Sequence, residues 1–218
     1  MRVQTIALVA MALALAVPVG APAAAAADRP VRIVALGDSL TAGHGLPADG
    51  AFPAKLERAL KAKGLAVEIA NAGVSGDTAA GGLARLDWSV PEGTDAVILE
   101  LGANDMLRGI DPNVTRQALE EIVRRLTERR VAVLLAGMRA AANLGPDYGR
   151  NFEAIYSDLA FRNDLLLYPF FLDGVAGQAG LNQRDGLHPT AAGVDAIVAR
   201  ILPKVEELVA RVRDKRVM

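Results

Sequence analysis

The sequence predicts one α/β domain in which helices cover both faces of a parallel sheet of about five strands. Two observations lead to this fold class. Short apolar runs alternate along the chain with longer amphipathic segments, which is the order of repeated strand–helix–strand units. The apolar runs also lack the polar alternation of a half-exposed strand, so both of their faces are expected to be buried. The predicted architecture is three-layer α/β/α with right-handed crossovers.

The individual elements follow from the same patterns. The first long helix ends at Gly64, and the helix that begins at Pro112 has proline in its first turn, where proline is tolerated. No internal repeat or second domain boundary interrupts the order. In chain order we expect strands over 31–36, 66–70, 95–101, 131–136 and 165–168, and helices over 52–63, 79–86, 112–130, 148–161 and 189–213.

The first 27 residues have the pattern of a secretory signal peptide. Arg2 supplies a positive start, an apolar stretch follows over 6–17, and Ala25-Ala26-Ala27 offers small residues for cleavage. The apolar stretch is shorter than the ~20 residues that a membrane-spanning helix needs. We therefore predict a signal peptide over 1–27, one domain over 28–218, no stable membrane insertion after cleavage, and a periplasmic or secreted bacterial protein.

Composition excludes several classes of function. The chain has no cysteine, so structural disulfides, a thiolate nucleophile and a cysteine-linked lipid anchor are excluded. Its formal net charge is −1, and removal of Arg2 with the signal peptide makes it near −2. The charges of both signs are interspersed, which argues against a nucleic-acid partner. The oligomeric state is left open.

Polar residues with catalytic potential follow the predicted strands. In a parallel sheet the loops after these strands share one edge, which is where open α/β sheets place their chemistry. The loop over 169–188 is long for a compact domain, and such loops are usually functional. The loop segments are Gly37-Asp38-Ser39, Gly73-Val74-Ser75-Gly76, Gly102-Ala103-Asn104-Asp105 and Asp185-Gly186-Leu187-His188.

Ser39 is the candidate nucleophile, and it needs a base because a free hydroxyl reacts poorly near neutral pH. The chain has two histidines. His188 follows Asp185 by three residues, so one turn can place the carboxylate against Nδ1 and leave Nε2 for the serine proton. His44 has no such partner and is interpreted as an exposed loop histidine. Ser75 follows a weaker strand and is the less favoured nucleophile.

Three groups could stabilise an oxyanion beside Ser39. These are the backbone N–H of Gly76, the side-chain amide of Asn104 and the backbone N–H of Ser39 itself. Loss of one such donor costs ~3 kcal/mol in other serine hydrolases. Taken alone, Gly76 could be a plain turn glycine and Asn104 an Asx-turn residue. Their joint occurrence after successive strands favours the catalytic interpretation.

The four segments, in this order, resemble the SGNH/GDSL hydrolase superfamily. Residues 71–78 and 102–109 are similar to its bacterial arylesterase and multifunctional thioesterase/lysophospholipase branch. The resemblance implies a flavodoxin-like sheet and a shallow acyl groove. It also implies Ser39 as nucleophile, His188 as base, Asp185 as its orienting group, and Ser39, Gly76 and Asn104 as the oxyanion hole.

Several further residues are candidates for substrate binding. Residues 138–143 resemble a substrate-lining segment of this branch, with Ala140 and Ala141 where bulkier residues or proline are common. The resemblance therefore implies a wider or more mobile acyl site. Phe171, in a run of three large apolar residues over 170–172, could wall an acyl chain or pack in the core. Leu107 presents the same choice.

The sequence thus predicts a serine esterase that hydrolyses aryl or short-to-medium acyl esters through an acyl-enzyme. Its partner is a small-molecule or lipid ester, and thioesters and lysophospholipids are left open as substrates. The proposed chemistry needs no cofactor or metal, and two distant histidines make a poor metal site. The absence of Gly-x-Ser-x-Gly disfavours a nucleophile-elbow hydrolase. The alternatives are a carbohydrate acetylesterase of the same superfamily and a non-catalytic periplasmic binding protein.

Overall fold

A five-stranded, all-parallel sheet forms the centre of the protein. The structure is a computed structural model that describes residues 29–217, so the predicted signal peptide over 1–27 lies outside the described residues. The strands follow the order β2-β1-β3-β4-β5, which is the flavodoxin-like order. This finding confirms the predicted fold class. The strands are β1 (Val31–Gly37), β2 (Val67–Gly73), β3 (Ala96–Glu100), β4 (Ala132–Ala136) and β5 (Leu166–Tyr168).

Helices cover both faces of the sheet, as the alternating pattern predicts. The α2 and α8 helices pack together on one face, while α3, α6 and α7 pack on the other. Between residues 29 and 217, no helix has the length and apolar character needed to cross a membrane. The helices are α1 (Ser39–Ala42), α2 (Phe52–Ala62), α3 (Ala79–Ala84), α4 (Leu86–Ser89), α5 (Ala103–Leu107), α6 (Pro112–Glu128), α7 (Pro146–Arg162) and α8 (Ala191–Val217), with 3₁₀ turns at Ala48–Gly50 and Ala142–Leu144.

The core lies between the sheet and these two helical layers. Every residue of β3 and β4 is buried, which explains why these strands lack polar alternation. On the helical side, α6 presents Leu119, Ile122 and Leu126 to the sheet. Burial of such side chains contributes about 25 cal/mol of folding free energy for each Å² of apolar surface. The centre of the sheet therefore contributes strongly to the stability of the fold.

Two short helices differ from the prediction and bear on function. The segments that begin at Ser39 and Ala103 are single helical turns (α1 and α5) rather than plain loops. Helices this short carry no apolar periodicity, so the sequence pattern could not reveal them. The second strand also extends beyond the predicted residues 66–70, because its pairing with β1 continues to Gly37 opposite Gly73.

Candidate active site

The structure brings together the three residues predicted to form a catalytic chain of hydrogen bonds. The Nε2 atom of His188 lies 3.0 Å from the Oγ atom of Ser39. The Nδ1 atom of the same ring lies 2.7 Å from Oδ2 of Asp185. Ser39 stands directly after β1, whereas His188 and Asp185 precede α8, so the contact joins opposite ends of the chain.

A single turn holds Asp185 against the histidine. Its Oδ1 atom accepts the backbone N–H groups of Leu187 at 2.9 Å and His188 at 3.0 Å. Its Oδ2 atom is left for the ring. The hydrogen bond from the His188 side chain, followed by these two backbone bonds, holds the pKa of Asp185 well below its usual range. The carboxylate of Asp185 is therefore ionised in the folded protein near neutral pH.

Ser39 is supported from beneath by two buried acids. The Asp38 carboxylate caps α1 by accepting the Leu40 N–H at 2.9 Å. The Oε2 atom of Glu100 accepts the Thr41 hydroxyl at 2.7 Å and the Asp38 N–H at 3.3 Å. A Cβ atom at position 37 would lie 2.1 Å from the Thr41 hydroxyl, so glycine is required there.

Burial changes the acidity of both carboxyl groups. Loss of hydration raises the pKa of Asp38 to about 6, although hydrogen bonds from Leu40 and Asn104 oppose the shift. Burial and, next, the neighbouring charge of Asp38 raise the pKa of Glu100 well above its usual value. Glu100 is completely buried, and its Oε1 atom has no hydrogen-bond partner in the described residues. A protonated Glu100 is the form that this environment favours.

A buried arginine fixes the ends of β1 and β2 below the site. The Nη2 atom of Arg85 donates to the Gly37 carbonyl, and its Nη1 atom donates to the Ala72 carbonyl, both at 2.8 Å. Its Nε atom donates to Asp77 at 2.6 Å. Sequence reasoning missed this residue; its signal was a single charge within the small, apolar segment 79–86. We call Gly37, Asp38, Thr41, Arg85 and Glu100 the nucleophile frame.

The predicted oxyanion donors lie in different environments. The Nδ2 atom of Asn104 donates to Oδ2 of Asp38 at 3.0 Å and to the carbonyl of Asp77 at 2.9 Å. Gly76 has a φ of 84°, in the region that favours glycine, and its carbonyl accepts the Arg108 side chain at 2.7 Å. The Gly76 N–H has no acceptor among residues 29–217. The Ser39 N–H stands in the first turn of α1, where N–H groups lack helical acceptors.

A largely apolar groove of about 420 Å³ opens beside the Ser39 hydroxyl. Leu107 and Ala140 line it, as the sequence analysis allowed. The prediction for Phe171 as a wall is wrong, because this side chain is fully buried and packs edge-on against Phe52 with 5.0 Å between ring centroids. Its neighbours face the groove instead. The main lining residues are Ser39, Leu40, Asn104, Met106, Leu107, Met138, Arg139, Ala140, Ala141, Phe170, Leu172, Leu187 and His188.

His44 is an exposed loop histidine, as the sequence suggested, but it contacts the triad histidine. Its ring centroid lies 4.3 Å from that of His188, with 34° between the ring planes. Because the sequence separation between the two histidines is large, only the folded chain reveals this contact. Ser75, the less favoured nucleophile, is exposed and has no hydrogen bond to either histidine.

A serine, a histidine and a carboxylate in hydrogen-bond sequence, at the carboxyl edge of a parallel sheet, define an α/β/α serine hydrolase without a nucleophile elbow. The comparisons with known proteins give the family. Residues 35–196 match the GDSL-like lipase/acylhydrolase family. The chain belongs to this family and is a serine ester hydrolase.

Relatives and solved structures agree with this assignment. The chain is 37% identical to the esterase TesA of Pseudomonas aeruginosa, over 81% of this chain and 88% of that protein. It is 40% identical to the thioesterase 1/protease 1/lysophospholipase L1 of Escherichia coli K12, over 76% and 77%. The crystal structure of AlinE4, an SGNH-hydrolase family esterase, matches with 46% identity and a TM-score of 0.70, covering 82% of this chain and 96% of that one. The predicted family and serine esterase function are confirmed.

Proposed function

We propose that Ser39 is the nucleophile, His188 its general base and Asp185 the group that orients the base. The observation that carries the proposal is the continuous chain from Ser39 Oγ to His188 Nε2 at 3.0 Å and from His188 Nδ1 to Asp185 at 2.7 Å. An ionised Asp185 fixes the tautomer with the proton on Nδ1, which leaves Nε2 free to accept the hydroxyl proton.

The reaction then proceeds in two acyl-transfer steps. The Ser39 oxygen attacks the ester carbonyl carbon while His188 takes the serine proton, and the carbonyl becomes a tetrahedral oxyanion. Collapse of this species releases the alcohol, which receives the proton from His188, and leaves an ester on Ser39. Water repeats the sequence on the acyl-enzyme, with His188 again as base, and frees the carboxylic acid.

The oxyanion would be held by the N–H groups of Ser39 and Gly76 and by the amide of Asn104. Gly76 and Ser39 have N–H groups that are not committed to other acceptors. The amide of Asn104 already donates to Asp38 and Asp77. To bind the oxyanion, it must share one of these hydrogen bonds or give it up. The binding of substrate is thus coupled to the contact between Asn104 and the nucleophile frame.

The substrates that fit the groove best are aryl and alkyl esters with short-to-medium apolar acyl chains. The groove volume lies at the lower end of the range for small-ligand sites, and its walls are mainly aliphatic and methionine side chains. Leu107 and Ala140 would contact the acyl chain, whereas Phe171 belongs to the core. An apolar groove offers few partners for sugar hydroxyls, which disfavours a carbohydrate acetylesterase.

We further propose that the chain is exported, with residues 1–27 as a cleaved signal peptide. The support is the positive, apolar and small-residue order of that segment. Expression of the full chain in a Gram-negative host, followed by N-terminal sequencing of the periplasmic protein, should give a chain that begins at Asp28. Retention of Met1 on cytoplasmic protein would contradict export.

Replacement of the nucleophile tests the proposed function. Ser39→Ala and Ser75→Ala should be assayed on p-nitrophenyl esters with short, medium and long acyl chains. We expect Ser39→Ala to lose at least ~10³-fold in kcat and Ser75→Ala to keep most of its activity. Undiminished turnover by a correctly folded Ser39→Ala protein would contradict the proposal that Ser39 is the nucleophile.

A further inference from the structure

The second histidine lies against the first, although the proposed chemistry gives it no step. His44 is five residues beyond Ser39, and its imidazole faces the ring of His188 with 4.3 Å between the centroids and a tilt of 34°. No carboxylate among residues 29–217 lies within ion-pair distance of His44, so it lacks the orienting partner of a second base.

The backbone of His44 is held on both sides. Its N–H donates to the carbonyl of Ser39 at 3.1 Å. Its carbonyl accepts the Nε2 atom of Gln183 at 2.7 Å, and the same Nε2 atom donates to the carbonyl of Pro189 at 2.9 Å. The Gln183 N–H also donates to the His188 carbonyl at 2.7 Å. Gln183 therefore joins the turn after Ser39 to the backbone of the triad histidine and of the residue that follows it.

The His188 ring needs a restraint that its two hydrogen bonds do not supply. The bond to Asp185 restrains one ring nitrogen, but a single contact does not block rotation about both side-chain torsions of His188. The bond to Ser39 is lost each time the serine becomes acylated. A flat ring packed on the face of His188 restricts this rotation throughout the catalytic cycle, because aromatic contacts prefer defined relative orientations.

We propose that His44 is a positioning residue that holds the plane of His188 so that Nε2 stays directed at the Ser39 oxygen. The proposal rests on the proposed role of His188 as base. His44 touches neither substrate nor the reacting atoms in this account, and its effect passes entirely through the ring of His188. The aromatic face of residue 44 is the property that matters, rather than its ability to carry a proton.

The test compares His44→Ala with His44→Phe in the full chain. The Ala variant should lose about ten- to hundredfold in kcat on p-nitrophenyl butyrate, while KM changes less than about twofold. The Phe variant, which keeps a flat ring, should recover most of that loss. Wild-type kcat in His44→Ala, or an equal loss in both variants, would overturn the proposal.

A spectroscopic measurement separates positioning from general damage. The chain contains two histidines, so a protein labelled with ¹⁵N-histidine gives the signals of only two rings. We expect the ¹⁵N resonance of His188 Nε2, which contacts Ser39 Oγ at 3.0 Å, to stay near its wild-type position in His44→Phe and to shift in His44→Ala. An unchanged signal in His44→Ala would contradict the positioning role.

Two controls make the outcome specific. Phe161→Ala removes an 87% exposed ring from α7 and should leave kcat unchanged. Should His44→Ala fail to fold, His44→Gln removes the ring with a polar side chain and carries the same expectation. Failure of the proposed function itself would be recognised separately, because Ser39→Ala would then remain active whatever the His44 variants do.

Discussion

The two halves of the active site are built on different kinds of structure. Ser39 is 9% exposed and follows a central strand, with buried acids and a buried arginine beneath it. Asp185 and His188 stand in an irregular segment, with side chains that are 41% and 20% exposed. We call this segment, residues 169–190, the base loop. It is held chiefly by short-range hydrogen bonds, such as Gln183 N–H to the His188 carbonyl at 2.7 Å.

The difference teaches how stability and catalysis are divided in this protein. In the nucleophile frame, the polar side chains are buried and share hydrogen bonds, so removal of one leaves others without partners and lowers the stability of the fold. In the base loop, water can replace a lost partner. Substitutions in the frame should therefore act mainly on folding, and substitutions in the base loop mainly on turnover. The predictions below test that division, from the largest effect to the smallest.

The largest effect is expected from Asp185→Asn in the base loop. An amide at this position can donate to Nδ1 and so favours the wrong tautomer of His188. We expect kcat to fall by roughly 10³- to 10⁴-fold, while the urea midpoint changes little. Steady-state kinetics and urea unfolding of the same preparation check both parts. A variant that unfolds readily but keeps its turnover would break the division.

Arg85→Met in the nucleophile frame should have the opposite profile. Methionine fills similar space but leaves Asp77 and the carbonyls of Gly37 and Ala72 without their donor. Loss of one member of a buried pair typically costs about 3–5 kcal/mol of unfolding free energy. The matched control is Arg124→Met on the surface of α6, which should change stability little because exposed ion pairs contribute little. Equal stability of the two variants would contradict the role of Arg85 in fixing the ends of β1 and β2.

The buried acids make stability depend on pH. An acid whose pKa is raised by folding binds more protons in the folded state, so stability falls as pH rises from its ordinary pKa to its raised pKa. For Asp38 this window extends from about 4 to about 6, and for Glu100 it begins at its ordinary pKa and extends well above it. Glu100→Gln removes one of these acids and the charge that it places beside the other.

We therefore expect wild type to lose stability relative to Glu100→Gln when the pH is raised from about 4 to about 7. Urea unfolding at several pH values measures the difference. The control Glu68→Gln alters a largely exposed acid on β2 and should follow the wild-type curve. Parallel curves for wild type and Glu100→Gln would show that folding does not shift the pKa of Glu100.

The smallest effect concerns the groove that both halves share. Ala140→Phe should narrow it and shift the ratio of kcat/KM values from longer toward shorter acyl chains by about tenfold, since each methylene contributes ~1 kcal/mol or more. Ala142→Phe, in the exposed 3₁₀ turn and outside the groove lining, is the matched control. The same acyl-chain preference in Ala140→Phe and Ala142→Phe would contradict the contact of Ala140 with the acyl chain.

The comparison also explains what could be read from the sequence. The strands, the long helices and the segments with Ser39, Asn104 and His188 were predictable, because apolar periodicity and strand-end loops are local signals. Asp185 was predictable because it lies within one turn of His188. Relatives with the same fold and family confirm the architecture and the esterase class.

The parts that escaped prediction depend on contacts between distant segments. The roles of Arg85 and Glu100 follow from the packing of β1, β2 and β3, and neither residue belongs to a recognisable motif. Phe171 was a candidate for the groove as well as for the core, because an apolar run does not reveal which of its side chains faces inward. His44 meets His188 only through a turn and a loop far apart in the chain, so no spacing rule could have paired them.

The most direct test of the central claim is to identify the residue that a fluorophosphonate modifies in the full chain. The reagent forms a stable covalent adduct with an activated serine, and peptide mass spectrometry locates it. We predict an adduct on Ser39 in wild type, with strongly slowed labelling in Asp185→Asn. An adduct on Ser75, or equally fast labelling in both proteins, would contradict the proposed nucleophile and its base loop.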